Sequence, residues 1–584
     1  MASSTDASQW GKRMGRLLSF APGLSTLLSY QRADFPHDLL AGLSVAAVAL
    51  PVGVAYAQLA GFNPVVGLYA SILPLVAYAL FGTSRQLIVG PDAATCALVA
   101  AAVAPLAGGN PERYQSLSVV LASLAGLFCL GASLLRLGAL ADFLSKPILV
   151  GFLNGIALHI LTGQFGKLFG FAIEAPGIVP KLLEWVMNIK RTHGPTLIVG
   201  LATLVTLVLS KRLFPRLPAA LVALIIAGLM VAGLGLDRHG VAVVGVVPAG
   251  LPPLRWPHFP PDLLEPLAGA AAGIALVSFS SMRLTARRFA DKNHYLIDVD
   301  REFAALGAAN VAASFSQGFA ISGADSRTAI NDAAGGRTQV TSLIAAATVA
   351  LVLLFFTQPL HYVPIAALGA ILAHSSLTLL DLRTLGWLYR LDPREFVLSV
   401  LATLGVIWVG AIQAILIAVM LALLRFIQVT SRPRVEILGR VHGLPGFHAV
   451  ARHPTAQTYP GLLLFRFNAP LVFFNAPYFK RQTQAAIAAA GPALKGFVLD
   501  ALPVTQVDVT GIDALLDLER NWRARGAGLV LAGRRTELRR WLDARGLLTP
   551  VPHVAHFPTL RQAVRALSGR ADGAHRPVTT APTS

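Results

Sequence analysis

The amino-acid sequence predicts a polytopic α-helical membrane protein of about 14 segments in two halves, followed by a small α/β domain. Three observations predict it. Of the 584 residues, 55% are hydrophobic and 13% charged, whereas a soluble globular chain carries about 25% charged residues. Apolar runs close to the roughly 20 residues that a spanning helix needs recur in series between Asp38 and Val429. One short polar pattern is written twice inside that apolar region, as GPDAAT from Gly90 to Thr95 and as GADSRT from Gly323 to Thr328.

The first spans read LLAGLSVAAVALPVGVAYAQLAG and SVVLASLAGLFCLGASLL, and the later ones TSLIAAATVALVLLFF and AILIAVMLALLRFIQV. So many runs in series exclude a large soluble protein with buried helices. The opening residues, MASSTDASQWGKRMGRLLSF, are polar and basic and lack the apolar core of a secretory signal, so the first span is expected to start insertion. Cys96 and Cys129 fall inside expected spans, which implies neither a disulfide framework nor a metal site.

The formal net charge of +19 raises nucleic acid as a partner, and the placement of the charges argues against it. Basic residues gather at alternate loops, for example Lys12, Arg13 and Arg16; Lys211, Arg212 and Arg216; Arg287, Arg288 and Lys292; and Arg383, Arg390 and Arg394. Positive-inside loops have this distribution. Lys190 and Arg191 break it, in a loop expected outside. An even number of segments puts both termini in the cytoplasm of a multi-pass protein of the plasma or inner membrane.

The halves run from about Asp38 to Gly235 and from about Leu263 to Val429, and the two polar patterns fall in the third segment of each. Neither third segment is a comfortable full span. Short, glycine-interrupted segments at matching places in two halves point to a transporter's midplane site. A helix that starts in mid-membrane leaves its first N–H groups unpaired and turns the positive end of its dipole into the gap. Two such ends make a cradle for an anion. Gly90 and Gly323 allow close approach, Pro91 suits a first helical turn, and Thr95, Ser326 and Thr328 add hydroxyls. Ala93 and Ala324 are small residues at the two helix starts. Asp92 and Asp325 oppose an anion. They are read as helix N-caps, with a carboxylate that carries a proton or sodium ion as the sharper alternative. Arg327 is expected to neutralise Asp325, to raise the field for an anion, or to form a surface salt bridge.

These residues, with NPVVGLYASILPLVAYALFGTSRQLIVGP and YLIDVDREFAALGAANVAASFSQGFAISGADSRTAIN, resemble the SulP sulfate permease family over about residues 30 to 568. The resemblance implies about fourteen segments as two inverted repeats of seven, forming a mobile core domain and a gate domain. It implies an anion held between the third and tenth segments, with further contacts from Tyr56 on the first and Ser278 and Ser281 on the eighth. Two positions depart from the family pattern. Pro51 is followed by Val52 rather than Gln, and LVSFSSMRL lacks the acidic residue of many members, with Ser281 in its place. That weakens coupling through the usual acid and strengthens uniport, exchange or coupling through Asp325.

After Val429 the composition changes. SRPRVEILGRVHGLPGF reads as a linker over 430–452, and 453–568 alternates as a compact βα module. LLLFRF and GLVLAG are strand candidates, TGIDALLDLERNWRARG is a helix with Thr510 near its start as a cap, and ELRRWLDARGLL is another helix. FVLDALPVTQVDVTGIDALLDL resembles the centre of a STAS domain. The family's phosphorylated serine position is taken here by Val509, so that switch is expected to be absent. Residues 1–37 are expected as a cytoplasmic N-terminal region and 569–584 as a disordered tail.

No GxxxxGK[ST] loop, paired-histidine zinc spacing or Gly-x-Ser-x-Gly elbow occurs, so no enzyme, metal or cofactor is expected. His159 is read as a packed histidine. The leading function is a secondary transporter of an inorganic anion, sulfate first, by alternating access, in a homodimer by analogy. The alternatives are a bicarbonate or C4-dicarboxylate carrier, an uncoupled anion channel or exchanger, a sensor, and a nucleobase carrier. The last is disfavoured because the eighth span has no acid.

Overall fold

The computed structural model describes residues 21–138, 146–175, 177–213, 218–257, 259, 261–524, 529–533 and 554–568. The basic start, the helix expected at ELRRWLDARGLL and the tail at 569–584 lie outside the described residues. The chain divides into a unit over Met1–Ala422 and another over Leu423–Ser584, each taken here by itself.

In the first unit, α1 (Pro22–Leu28) precedes α2 (Phe35–Leu59), α3 (Pro64–Tyr69) with α4 (Leu73–Phe81), strand β1 (Val89–Gly90) with α5 (Ala93–Ala107), and α6 (Pro111–Leu134). There follow α7 (Lys146–Gly163) with α8 (Phe165–Phe169), α9 (Ile178–Met187), α10 (Gly194–Leu213) and α11 (Ala219–Leu234). The second half repeats the order: α12 (Pro261–Lys292), α13 (Val299–Phe315), β2 (Ser322–Gly323) with α14 (Asp325–Ala333), α15 (Val340–Phe355), α16 (Ile365–Leu379) with α17 (Leu382–Leu391), α18 (Pro393–Trp408) and α19 (Ala411–Ser431). Leaving α1 and α9 aside, each half supplies seven successive segments among the described residues. Among the described residues, seven helices are long and apolar enough to cross a membrane by length and composition.

The third segments differ from the rest because each begins as a strand. β1 and β2 pair antiparallel, with Val89 opposite Gly323 and Gly90 opposite Ser322. Antiparallel pairing of equivalent strands relates the two halves by a local two-fold, so α5 and α14 leave the pair in opposite directions. α5 has 15 residues and α14 has 9, too few for the roughly 20 of a full span.

Small residues bring the halves together. A Cβ on Gly126 of α6 would lie 2.8 Å from the carbonyl oxygen of Gly307 on α13, the close backbone approach that membrane helices use in place of a hydrophobic driving force. The outer surface carries large apolar side chains, among them Ile198, Leu201 and Val205 of α10 and Leu416, Ile417 and Met420 of α19. Exposure on this scale fits a lipid-facing surface.

The second unit contains a six-stranded sheet in the order β4-β3-β5-β6-β7-β8, with β3 (Val435–Gly439), β4 (His448–Ala449), β5 (Leu462–Phe467), β6 (Gly496–Asp500), β7 (Leu529–Ala532) and β8 (Val554–Phe557). β5 through β8 run parallel, and β3 joins β5 antiparallel. The helices are α20 (Ala476–Ala490), α21 (Val509–Arg523) and α22 (Leu560–Ser568). Phe465, Phe467, Phe479, Phe497 and Trp522 fill the core.

Two expectations change here. The stretch read as a linker supplies β3 and β4, because the alternation in VEILG is a strand pattern that its charged flanks mask. Asp508, not Thr510, caps α21: its carboxylate accepts from the Gly511 amide at 2.8 Å.

Candidate half-helix site

The approach to α5 is an extended segment that the other half holds in place. The Ile88 amide donates to the Thr328 hydroxyl at 3.0 Å, the Ala324 amide donates to the Ile88 carbonyl at 2.8 Å, and Asn331 Nδ2 donates to the Gln86 carbonyl at 2.8 Å. Gly90 then turns the chain with φ +148, a conformation that glycine adopts without steric cost. α5 begins at Ala93, so Pro91 lies before the cap and not in the first turn. Asp92 is the N-cap and accepts from the Thr95 amide at a long 3.5 Å. The Thr95 hydroxyl is 3.1 Å from that of Ser278 on α12.

The start of α14 is different. Its N-cap is Ala324, which offers no side-chain acceptor. The amides of Asp325, Ser326 and Arg327 have no acceptor among the described residues. Asp325 is therefore the first helical residue and not the expected cap. Its carboxylate accepts from the Thr285 hydroxyl and lies within electrostatic reach of Arg288, both on α12. α12 thus diverts this charge from the helix axis.

Arg327 takes neither of the two ion-pair roles expected of it. It makes no ion pair with Asp325 among the described residues, and it is buried, with 1% relative exposure. Its side chain crosses to the first half, where Nη2 donates to the Pro91 carbonyl at 2.5 Å. No acceptor among the described residues meets Nε. The sequence suggests a local partner because Asp325 is two residues away, but residues i and i+2 of a helix face apart.

The remaining candidates group around this point. Tyr56 on α2 is half-buried, within electrostatic reach of Asp92 and Arg327 and near Ser375 on α16. Ala93 and Ala324 are buried, with small side chains that leave the helix ends open. Ser281 is half-buried on α12, one turn before Thr285, and Ser326 is exposed. Gly323 packs on Met282: a Cβ there would lie 2.6 Å from Met282 Cγ. Thr328 is occupied as a bridge, since its hydroxyl donates to the Ala324 carbonyl at 2.8 Å while accepting from Ile88.

Sequence reasoning missed Thr285, Arg288 and Ser375, which only the packing brings to the site. It also missed two buried acids that hold the frame. Glu302 on α13 accepts from the Tyr78 hydroxyl at 2.6 Å, from the Thr83 hydroxyl at 2.5 Å, and from the Thr83 and Ser84 amides at 2.7 and 3.0 Å. Asp38 on α2 accepts from the Arg337 and Thr338 amides and the Thr338 hydroxyl at 2.7, 3.1 and 2.6 Å. Both acids are fully buried. A buried carboxylate needs several such donors to replace the water it loses. Each also ties a helix of one half to a loop of the other. The available signal was an acid inside or beside an apolar span.

Two arginines and two aspartates balance at this point, and the partial positive charges of two helix ends add to the positive side. The fold and the site together define a multi-pass membrane protein of the paired half-helix class with an α/β domain after it. Residues 35–403 match the sulfate permease family and residues 453–563 the STAS domain. The chain belongs to the sulfate permease family, whose members are permeases and not enzymes.

It is 39% identical over 551 residues to a probable sulfate transporter of Mycobacterium tuberculosis, covering 94% of this chain and 98% of that one. It is 30% identical over 601 residues to the low affinity sulfate transporter 3 of Stylosanthes hamata, covering 97% and 93%. Among solved structures, the murine Solute Carrier 26 family member A9 anion transporter in the inward-facing state superposes with a TM-score of 0.86 at 25% identity over 95% of both chains. The transmembrane domain of the cyanobacterial bicarbonate transporter BicA shares the fold, with a TM-score of 0.59 over 67% of this chain and 98% of that one.

Proposed function

We propose that this protein carries an inorganic anion across the membrane by alternating access, with sulfate as the first substrate. The observation that carries the reading is the uncapped start of α14: among the described residues, three amides without acceptors stand beside a buried guanidinium whose Nε has none. An oxyanion between this end and the start of α5 would accept from the amides and from Arg327, with hydroxyls of Ser326 and Tyr56 at the edge. The Mycobacterium and Stylosanthes relatives, named as sulfate transporters, support the substrate class.

A coupled proton or sodium ion would sit on Asp325, which stands next to the uncapped end and whose carboxylate has one hydroxyl donor among the described residues. Ser281 occupies the place on α12 where a coupling acid is otherwise expected. The protein acts as a homodimer in the plasma or inner membrane with both termini cytoplasmic. Its transporter domain spans about 38–429 and its STAS domain about 453–568.

Radiolabelled sulfate uptake into proteoliposomes tests the reading, with bicarbonate, fumarate and chloride as competitors and with proton and sodium gradients imposed in turn. Saturable sulfate uptake that a second anion inhibits is expected. Flux that rises linearly with sulfate and resists competition would replace the carrier with a channel.

A further inference from the structure

Away from the half-helix site, an open pocket of about 370 Å³ lies between the end of α7, α8, the loop after it and the start of α16, with one residue each from α9 and α10; Thr162, Gly166, Lys167, Phe171, Lys181 and Thr196 are among its lining, and no carboxylate is in its wall. Lys167 comes from α8 and Lys181 from α9. Neither makes an ion pair among the described residues, and both are half-buried. His159 lies within electrostatic reach of Lys181. His193 Nδ1 is 2.7 Å from the Thr196 hydroxyl. The amides of Ala172 and Ile173, also in the wall, have no acceptor among the described residues. The nearest carboxylate along α9, that of Glu184, is engaged by the Ala175 and Glu174 amides at 2.7 and 3.1 Å. Burial without a counter-charge pushes the Lys181 ammonium below its ordinary pKa, which an anion in the pocket would reverse.

The setting narrows the source of the anion. α9 lies outside the long apolar spans. It exposes Val179, Leu183, Val186 and Met187, the last at 82%. A short helix with a bare apolar face and lysine beside it lies in the membrane interface. At that interface a lysine ammonium pairs with a lipid phosphate through charge-assisted hydrogen bonds.

We propose that this pocket is a second oxyanion site, separate from the transport site, which takes a phosphate group between Lys167 and Lys181. An anionic phospholipid headgroup fits best, with its chains along the apolar face of α9, and free phosphate shares the chemistry. The charge balance favours binding. Two lysines, and two residues whose amides have no acceptor among the described residues, line a pocket without an acid, so an anion there would gain charge-assisted hydrogen bonds.

The test is amine acetylation of the full-length protein, with the rate at each lysine read by mass spectrometry and exposed Lys495 as the internal reference. The protein is compared in nanodiscs of neutral phosphatidylcholine, in nanodiscs with added phosphatidylglycerol, and in detergent with and without inorganic phosphate. Occupancy well above the dissociation constant slows modification at Lys167 and Lys181 by about fivefold or more. Protection by phosphatidylglycerol assigns the lipid, and protection by inorganic phosphate alone assigns the free anion. Equal rates in all conditions overturn the proposal. As a second readout, the Lys167→Gln/Lys181→Gln variant should retain fewer phosphatidylglycerol molecules than the unaltered protein in native mass spectrometry. Unchanged retention would overturn the lipid assignment. Neither readout depends on transport, so the proposal can fail while the transport reading stands.

Discussion

Arg327 of α14 donates from Nη2 to the carbonyl oxygen of Pro91 at 2.5 Å, across the junction of the two halves. The bond joins the start of one half-helix to the approach of the other and holds the guanidinium beside both. Replacing Arg327 with Ala removes a charge-assisted donor, worth about 1.5–3 kcal/mol, so sulfate uptake should fall roughly 10- to 100-fold. Arg327→Lys keeps the charge but cannot span two acceptors with a planar fork, so its uptake should fall between the two. Full uptake by a well-folded Arg327→Ala protein would remove Arg327 from the site.

Gly90 lets that guanidinium in. With φ +148, a Cβ there would lie 2.7 Å from Arg327 Nη1. Gly90→Ala should cost about 1–3 kcal/mol through strain and overpacking and raise the KM for sulfate as Arg327 is displaced. Gly126→Ala offers the contrast, since its added methyl would meet the Gly307 carbonyl between α6 and α13, away from the half-helix ends. It should lower the melting temperature and leave KM unchanged. Identical kinetic effects from the two substitutions would mean that Gly90 serves packing in general and not the site.

Glu302 predicts a graded loss of stability. Tyr78→Phe removes one of four donors to a fully buried carboxylate and should cost about 1.5–3 kcal/mol, the range for a hydrogen bond to a charged group. Glu302→Ala leaves the Tyr78 hydroxyl and two backbone amides without an acceptor, so it should lower the melting temperature further. Thermal unfolding in detergent checks the order. A Glu302→Ala protein as stable as the unaltered one would show that water replaces the carboxylate.

How much of this was legible in the sequence depended on whether the signal was local. Hydropathy placed the spans because each helix must satisfy its own backbone in lipid, and the repeated polar pattern placed the two half-helices. Asp92 was readable as a cap because capping is a matter of three residues. Asp325 was not: the same spacing in GADSRT starts its helix one residue earlier relative to the aspartate, and the carboxylate goes to Thr285, 40 residues earlier in the chain. The partners of Arg327, Glu302 and Asp38 are each more than 200 residues away. No periodicity encodes such contacts, which exist because inverted halves bring equivalent segments face to face. β3 was missed for a different reason, since charged residues on both sides gave a five-residue strand the look of a linker.

In the second unit, Asp508 caps α21 through the Gly511 amide, and its other oxygen accepts from the Phe473 amide at 2.7 Å. Asp508→Ala therefore loses a cap and a loop tether together, and should destabilise this unit by about 1–2 kcal/mol. Thr510→Ala, at an exposed position without a capping bond, should cost less than half as much. Hydrogen exchange at the first turn of α21 reports both. Equal protection loss in the two variants would return the capping role to Thr510.

Asp325 decides the question of coupling. Its carboxylate has one hydroxyl donor among the described residues, from Thr285, and Arg288 nearby, so it has acceptor capacity left for a cation or a proton. Asp92 is committed to its own helix start. Asp325→Asn keeps the size and the bond to Thr285 but cannot change charge. It should preserve sulfate counterflow, which needs no coupling ion, and abolish accumulation driven by a proton or sodium gradient. Asp92→Asn should leave the gradient response intact, because asparagine caps a helix about as well as aspartate. Gradient-driven accumulation that survives Asp325→Asn would make the anion travel by exchange or uniport, with Asp325 left to fix the orientation of α12 against α14.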